Sequence, residues 1–237
     1  MLPRLFSFSI VALASSAAFA QSPAESRLPS SKPSIYQAAD SAASTPSLTP
    51  AEKAAGWRLL FDGTTKGWHS IGKPGFPTRG WVAQDGEFRL IKTDGKTGAG
   101  DIVSDELFGD FELTWEWNIS QGGNSGVKYN LPNANKNVGC EYQMLDDEKN
   151  GDAKLHDGTR TTGSLYDVIA PAPDKKYNPA GQWNQSRIIV TGNHVEHWLN
   201  GTKTVSFDFG SETLKGLIAQ SKFKSTQGWG IKTKSPI

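Results

Sequence analysis

Alternating apolar and polar positions run through the middle of this chain, between residues 100 and 147. From Phe111 to Ile119 every second side chain is apolar. The positions between them are polar: Glu112, Thr114, Glu116 and Asn118. A repeat of two residues is typical of a half-buried strand whose polar side chains share one face. A face rich in carboxylates and amides suits an uncharged ligand with many hydroxyls, so the pattern predicts a sugar-binding surface.

Short apolar segments separated by turn signals extend over most of the chain. Asp85-Gly86 and Asn200-Gly201 each predict a hairpin, because both turn positions tolerate a positive φ. Extended segments are also predicted at 56–63 and 163–171. Helical signals are limited to a capped turn at 49–55 and a short helix at 212–217. Many short strands with few helices predict an all-β sandwich of two stacked antiparallel sheets.

The first twenty residues have the features of an export signal. Arg4 precedes an apolar stretch from Leu5 to Ala14, and Ala18-Phe-Ala20 supplies a cleavage pattern of small residues. The stretch is too short for a stable membrane-spanning helix, which needs about 20 residues. We therefore expect a leader at 1–20 and a periplasmic or secreted protein with no membrane span in its mature chain. An uncleaved anchor is the alternative.

The rest of the chain divides into a tether and one domain. Residues 21–48 are rich in Ser, Ala and Pro and predict a flexible linker, whereas 49–237 is long enough for a single β-sandwich. The net charge of +1 and the absence of a basic cluster argue against a nucleic-acid partner. The single cysteine, Cys140, excludes an internal disulfide and is expected to be a packing residue.

Seven motifs follow one another along the chain. They are Leu60-Phe-Asp-Gly63 with Trp68, Gly109-Asp-Phe-Glu-Leu113, Gly123-Asn-Ser-Gly126, Glu141-Tyr-Gln-Met-Leu-Asp146, Thr162-Gly-Ser-Leu-Tyr166, Gly181-Gln-Trp-Asn184 and His197-Trp-Leu-Asn-Gly201. Together they resemble the 3-keto-disaccharide hydrolase family, and the resemblance covers the chain from about residue 56 to its end. It implies a concanavalin A-like jelly roll and an exported bacterial hydrolase of sugars whose C3 hydroxyl has been oxidised to a ketone.

One departure from that family lies at the end of the sequence. Members continue into a final strand with an Asp-His-Gly turn and a Phe-Arg-Asn segment, whereas this sequence ends at Ile237. Either the sequence is a fragment or the closing strand is absent. Any catalytic histidine on that segment would be missing with it.

A 3-keto-glycoside can be cleaved by elimination, because the ketone acidifies the proton on C2. Such a site needs a general base, a group that stabilises the enolate oxygen and an acid for the leaving oxygen. Glu141 and Glu116 are the acid/base candidates, and His156, in a charged loop, is a candidate mobile base. The residues expected around the sugar are Asp101, Asn124, Lys128, Gln143, Asp146 and His197. His197 could equally be a structural histidine of the core.

Two other functions remain open from the sequence. A glycoside hydrolase with two carboxylates would use the same fold, although the usual Glu-x-Asp-x-x-Glu spacing is not found. A noncatalytic, lectin-like carbohydrate-binding module would suit the tether. The sequence implies no particular cofactor, and a divalent cation is an option at Asp146, Asp147 and Glu148 or in the 152–157 loop.

Overall fold

The protein folds as a sandwich of antiparallel β-strands. The computed structural model describes residues 46–91 and 100–237, together with the backbone of Phe6–Leu13. The predicted tether as far as residue 45, the remainder of the predicted leader and residues 92–99 lie outside the described residues. The all-β prediction is confirmed, since helices are few and short.

One layer of the sandwich is a seven-stranded antiparallel sheet. Its strands are β1 (Phe6–Leu13), β3 (Trp81–Gln84), β4 (Glu87–Leu90), β6 (Phe111–Asn118), β9 (Trp183–Thr191), β10 (His194–Leu199) and β11 (Thr202–Asp208). Their spatial order is β11-β10-β9-β6-β1-β4-β3. The hairpin turns predicted at Asp85-Gly86 and Asn200-Gly201 are present, and all four turn residues have positive φ.

Two ribbons form the opposite layer. The first pairs β2 (Trp68–Ser70) with β5 (Ile102–Ser104), and the second pairs β7 (Asn124–Tyr129) with β8 (Cys140–Leu145). The segment after the 146–162 loop runs along the free side of β8, where Tyr142 and Leu165 form an isolated antiparallel bridge. The extended structure predicted at 163–171 is therefore only partly formed, because Leu165 also bridges to Ile169 and turns the chain back.

Aromatic side chains fill the space between the two layers. The apolar positions of β6 are buried and the polar positions between them are partly exposed, as the alternation predicts. Trp115 meets Tyr142 of β8 edge-on with 4.9 Å between ring centroids, and Phe111 meets Tyr129 at 6.1 Å. Cys140 is fully buried at the same interface, which agrees with its predicted packing role. These contacts fix which face of each layer points away from the core.

Two short α-helices lie outside the sheets. Helix α1 (Pro50–Ala54) has the predicted capping box, in which Thr49 accepts a hydrogen bond from the Glu52 backbone and Glu52 accepts one from Thr49. Helix α2 (Glu212–Ile218) is capped by Ser211. The strand predicted at 56–63 does not form: the chain there is irregular, although Phe61 is buried in the core. Within the described residues no helix is long and apolar enough to cross a membrane.

Strand β1 belongs to the segment that the sequence predicts to be a leader. Its backbone pairs with β4 on one side and with β6 on the other, where the register runs from Ser7 opposite Asn118 to Leu13 opposite Glu112. Strands β4 and β6 are joined through β1 and are not neighbours in the described sheet. Cleavage of the leader stays a prediction.

Candidate active site

A cavity of about 230 Å³ opens beside the β7–β8 ribbon. Aromatic side chains of Trp68, Trp81 and Phe88 line its apolar side. Its polar side is formed by a small group of residues: Asp101, Asn124, Ser125, Lys128, Asn137 and Glu141. A largely apolar concavity with few polar groups is the usual form of a small-molecule site. Aromatic faces of this kind also suit the apolar faces of sugar rings.

Lys128 and Glu141 form the polar centre of this cavity. They are directly opposite each other in the β7–β8 register, so both side chains project from the face that points away from the core. The ammonium group of Lys128 donates to Asp101 Oδ2 at 2.9 Å, which ties the lysine to the end of β5. Among the described residues, no side chain or backbone group donates a hydrogen bond to the Glu141 carboxylate. The carboxylate is therefore available to a ligand.

Gly126 makes room for that carboxylate. A Cβ atom at position 126 would lie 2.8 Å from Cγ of Glu141 and 3.0 Å from its Cδ, and it would also collide with Oε1. Carbon atoms in good contact are about 3.5–4.0 Å apart, so any side chain here would displace the carboxylate. The Gly-Asn-Ser-Gly motif thus supplies the space in which the Glu141 side chain folds over β7.

Tyr166 extends the row beyond β8. Its backbone N–H donates to the Glu141 carbonyl at 3.0 Å, and Leu165 beside it is a core residue, so Tyr166 shares the outer face with Glu141. The phenol donates to Asp152 Oδ2 at 2.8 Å. The ammonium group of Lys222 lies 4.1 Å from the centroid of the Tyr166 ring. Glu141 is thus flanked by Lys128 on one side and by the Tyr166–Lys222 pair on the other.

Burial sets the protonation of the central groups. Burial raises the pKa of the Glu141 carboxyl, although the charges of Lys128 and Lys222 act against the shift. Burial also lowers the pKa of the Lys222 ammonium group. For Lys128 burial acts in the same direction, but the charge of Glu141 and the hydrogen bond to Asp101 raise its pKa above the usual value. A raised carboxyl pKa beside a cation is the arrangement expected for general acid–base work.

The comparisons with known proteins agree on one family. The model of the 3-keto-α-glucoside-1,2-lyase-like domain matches residues 56–228. This chain belongs to that family. It is 33% identical to the 3-keto-disaccharide hydrolase of Bacteroides thetaiotaomicron over 218 residues, which cover 83% of this chain and 73% of the relative.

Solved structures of the same fold are available from Parabacteroides distasonis. One, provisionally described as a glycosyl hydrolase, has a TM-score of 0.68 and 31% identity and covers 81% of this chain and 91% of that chain. A second has a TM-score of 0.50 and 24% identity, covers 65% of this chain and 72% of that chain, and shows the fold alone. The family resemblance and the sandwich fold inferred from the sequence are both confirmed.

Four of the predicted site residues of this family member meet in the cavity. They are Asp101, Asn124, Lys128 and Glu141. Gln143 is adjacent, because its side chain donates a long hydrogen bond of 3.4 Å to Asn124 Oδ1. Asp146 is elsewhere: it is buried and accepts hydrogen bonds from the backbone of Gly122, Glu148 and Lys149. Asp146 thus holds the turn after β8.

Glu116 is not brought to the cavity. Its neighbour Trp115 points into the core and lines the cavity, so Glu116 projects from the opposite side of the seven-stranded sheet. Burial raises the pKa of Glu116, and the charge of Glu141 is not a cause of that shift. The two acid/base candidates of the sequence therefore lie on opposite outer faces of the sandwich.

The two histidine candidates have different surroundings. His197 is fully buried, shares a 2.7 Å hydrogen bond with the Tyr129 hydroxyl and packs against Tyr142, and burial lowers its pKa to about 3. This placement matches the structural histidine rather than a sugar contact. His156 is half-exposed in the 3-10 turn His156–Gly158, with its Nδ1 3.6 Å from Asp167 Oδ1. It lies outside the set that lines the cavity.

No metal site is evident in the described part of the chain. No group of three or more His, Cys, Asp or Glu side chains there is arranged to hold an ion. In the 152–157 loop, Asp152 is instead bonded to Arg160 at 2.7 Å and to Tyr166. The cation suggested for this loop remains an untested prediction.

Tyr166 and Lys222 are the neighbours of Glu141 that sequence reasoning did not select. A signal for Tyr166 was present in Gly163-Ser-Leu-Tyr166, because a buried Leu165 places Ser164 and Tyr166 together on the other face. Lys222 had no comparable signal. It follows helix α2, and only the tertiary fold brings its ammonium group onto the Tyr166 ring.

Proposed function

We propose that this chain is an exported hydrolase that cleaves 3-keto-glycosides by removal of the C2 proton, elimination and addition of water. The observation that carries the proposal is the Glu141 carboxylate, which faces a cavity next to Lys128 and has a raised pKa. Membership of the 3-keto-α-glucoside-1,2-lyase-like family supports the choice of substrate. The relative named 3-keto-disaccharide hydrolase supports the hydrolytic outcome.

Each chemical requirement of the elimination has a candidate side chain. Glu141 is the base that takes the C2 proton, because its carboxylate is free of hydrogen bonds from the described residues. The Lys128 ammonium group is assigned to the enolate oxygen at C3, and Asp101 holds it in place at 2.9 Å. A cation aimed at a developing oxyanion stabilises it strongly in a site that excludes water. Lys222, with its lowered pKa, is the candidate acid for the leaving oxygen.

The activity is tested by incubating the purified protein with 3-keto-trehalose and, separately, with unmodified trehalose. We expect glucose to be released from the keto sugar only. Glu141→Gln should lower the rate by about 10²–10⁴, which is the usual contribution of a general base. Glu212→Gln, a change at an exposed glutamate of helix α2, is the matched control and should leave the rate unchanged.

Retention of the activity in Glu141→Gln would remove that residue from the mechanism. If the keto sugar stays intact while unmodified glycans bind, the lectin-like function is favoured instead. Release of glucose from unmodified trehalose would favour direct glycoside hydrolysis.

Export rests on the sequence pattern of residues 1–20. Mass spectrometry of the protein recovered from the periplasm of an expressing bacterium should find a chain that begins at Gln21. A chain that keeps Met1 and stays with the cytoplasmic fraction would contradict export.

A further inference from the structure

Two buried polar atoms close to Glu141 have no hydrogen-bond partner among the described residues. They are Oε1 of Gln143 and Oγ of Ser164. Gln143 is 1% exposed and Ser164 is 0% exposed. Buried polar groups are nearly always bonded, either to the protein or to an ordered water molecule. Two orphans in one small region therefore indicate a bound molecule that completes them.

The strand register places both atoms on the same face. The backbone N–H of Gln143 donates to the Ser164 carbonyl at 3.3 Å, and Tyr142 bridges to Leu165, so Gln143 and Ser164 stand opposite each other. Opposed residues have Cβ atoms about 4.5–5.5 Å apart. The two side chains nevertheless do not bond to each other. The geometry fits a small molecule that bridges them.

The Glu141 carboxylate borders this bridge. Glu141 and Gln143 are two residues apart on β8, so their rows are about 6.8 Å apart along the strand. Gly126 stands opposite Gln143 on the other side and carries no side chain, and the Glu141 carboxylate occupies that space. A molecule held between the two rows thus lies next to both Gln143 and the Glu141 carboxylate.

We propose that Gln143 and Ser164 hold the water molecule that is added to the sugar ring after elimination. The inference rests on the proposed function and refines it. A water molecule can donate to Gln143 Oε1 and to the carboxylate while it accepts from the Ser164 hydroxyl. Buried waters typically make about three such bonds to otherwise unsatisfied groups.

The bound water decides whether the ring leaves as the hydrated keto sugar or as the enone. In the elimination the C2 proton passes to Glu141, the C1–O bond breaks, and the leaving oxygen takes a proton from the acid. The products are a free sugar and a ring with a C1=C2 double bond conjugated to the C3 ketone. In the second step the water oxygen bonds to C1, Glu141 returns its proton to C2, and the second proton of the water restores the acid. Without that water the enzyme acts as a lyase.

The test compares two products of 3-keto-trehalose in Ser164→Ala and Gln143→Met variants. Released glucose reports the elimination, and ultraviolet absorbance of the conjugated enone reports ring that has not been hydrated. Loss of one neutral hydrogen bond should raise the share of enone roughly five- to tenfold in both variants, and glucose release in Ser164→Ala should stay within about twofold of the wild type. Ser225→Ala and Gln227→Met, at exposed positions, are the matched controls and should keep the wild-type ratio.

Two results would overturn the inference while the proposed function stands. One is a wild-type product ratio in both variants, and the other is a loss of glucose release in Ser164→Ala without a rise in enone. If the wild type does not consume the keto sugar, or converts it only to enone, the proposed function itself fails. A high-resolution crystal structure of the free protein then decides the site: a water bonded to both Gln143 Oε1 and Ser164 Oγ upholds it, and a direct bond between the two side chains refutes it.

Discussion

Replacement of Gly126 by alanine should separate activity from stability at this site. The new Cβ would lie 2.8 Å from Glu141 Cγ and 3.0 Å from Cδ. To restore ordinary contact, the glutamate side chain must retreat by about 0.5–1 Å. A displacement of about 1 Å at a reacting group can lower the rate about 100-fold. We therefore expect kcat/KM for a 3-keto-glycoside to fall by about two orders of magnitude.

The same substitution should hardly change the free energy of unfolding. Gly126 is not among the residues with positive φ, so alanine fits its backbone. The alanine reduces the entropy of the unfolded chain, which stabilises by about 0.4–1 kcal/mol. Overpacking costs about 1–3 kcal/mol, and here the displaced group is the end of a flexible side chain. With the cost at the low end of that range the two terms nearly cancel, so Tm should change by no more than about 4 °C.

Gly151→Ala is the matched control for this prediction. A Cβ at Gly151 would have no atom within 4 Å, and its φ is also ordinary. Kinetics on the keto sugar and thermal unfolding of both variants provide the comparison. Wild-type kcat/KM in Gly126→Ala would refute the assignment of that space to a catalytic carboxylate. An equal loss of activity in Gly151→Ala would show that the effect is not specific.

Three further predictions concern charge, pH and the edge of the sheet. Lys128→Gln removes a charge that holds down the pKa of Glu141, so the acidic limb of the kcat/KM profile should move to higher pH; an unmoved limb would contradict the pairing. His197 has a folded pKa of about 3, below the usual value of about 6.5, so the folded state binds fewer protons than the unfolded state. The free energy of unfolding that this shift contributes above pH 6.5 should therefore be lost as pH falls towards 3. In urea unfolding, the free energy of His197→Gln should depend less on pH than that of the wild type. A chain that begins at Gln21 lacks β1, so β4 and β6 would face each other with unpaired backbone groups. We expect this chain to have a lower Tm and to self-associate on size exclusion. An equally stable monomer would show that β1 is dispensable.

Sequence patterns identified the strands better than the direction in which their polar faces point. The alternation in Phe111–Asn118 correctly predicted a buried and a polar face. A sandwich, however, has two outer faces that point in opposite directions. Alternation within one strand does not show to which of these two faces its polar side chains belong. Glu116 and Glu141 therefore looked equivalent in the sequence. Only the packing of Trp115 against Tyr142 shows that they lie on opposite sides.

The part of the site built on neighbouring strands was predictable, and the part built on loops was not. Lys128 and Glu141 were both selected from the sequence because each is a charge within an apolar strand, and they prove to be cross-strand partners. Tyr166 and Lys222 are brought in by an irregular segment and by the chain after α2. Long-range placement of this kind leaves no periodic signal, because it depends on tertiary contacts rather than on spacing along the chain.

Strand β1 links the folding order of the chain to its proposed export. Its pairing with β6 joins residues roughly a hundred positions apart, and the entropy lost in closing so long a loop slows the formation of the pair. Backbone groups that are hydrogen-bonded within the sheet are not available for binding by a translocase or a signal peptidase. Residues 6–13 can therefore act as an export signal or as a strand of the sheet, but not as both at once. The interval before β1 pairs with β6 is the time available for recognition of the proposed leader.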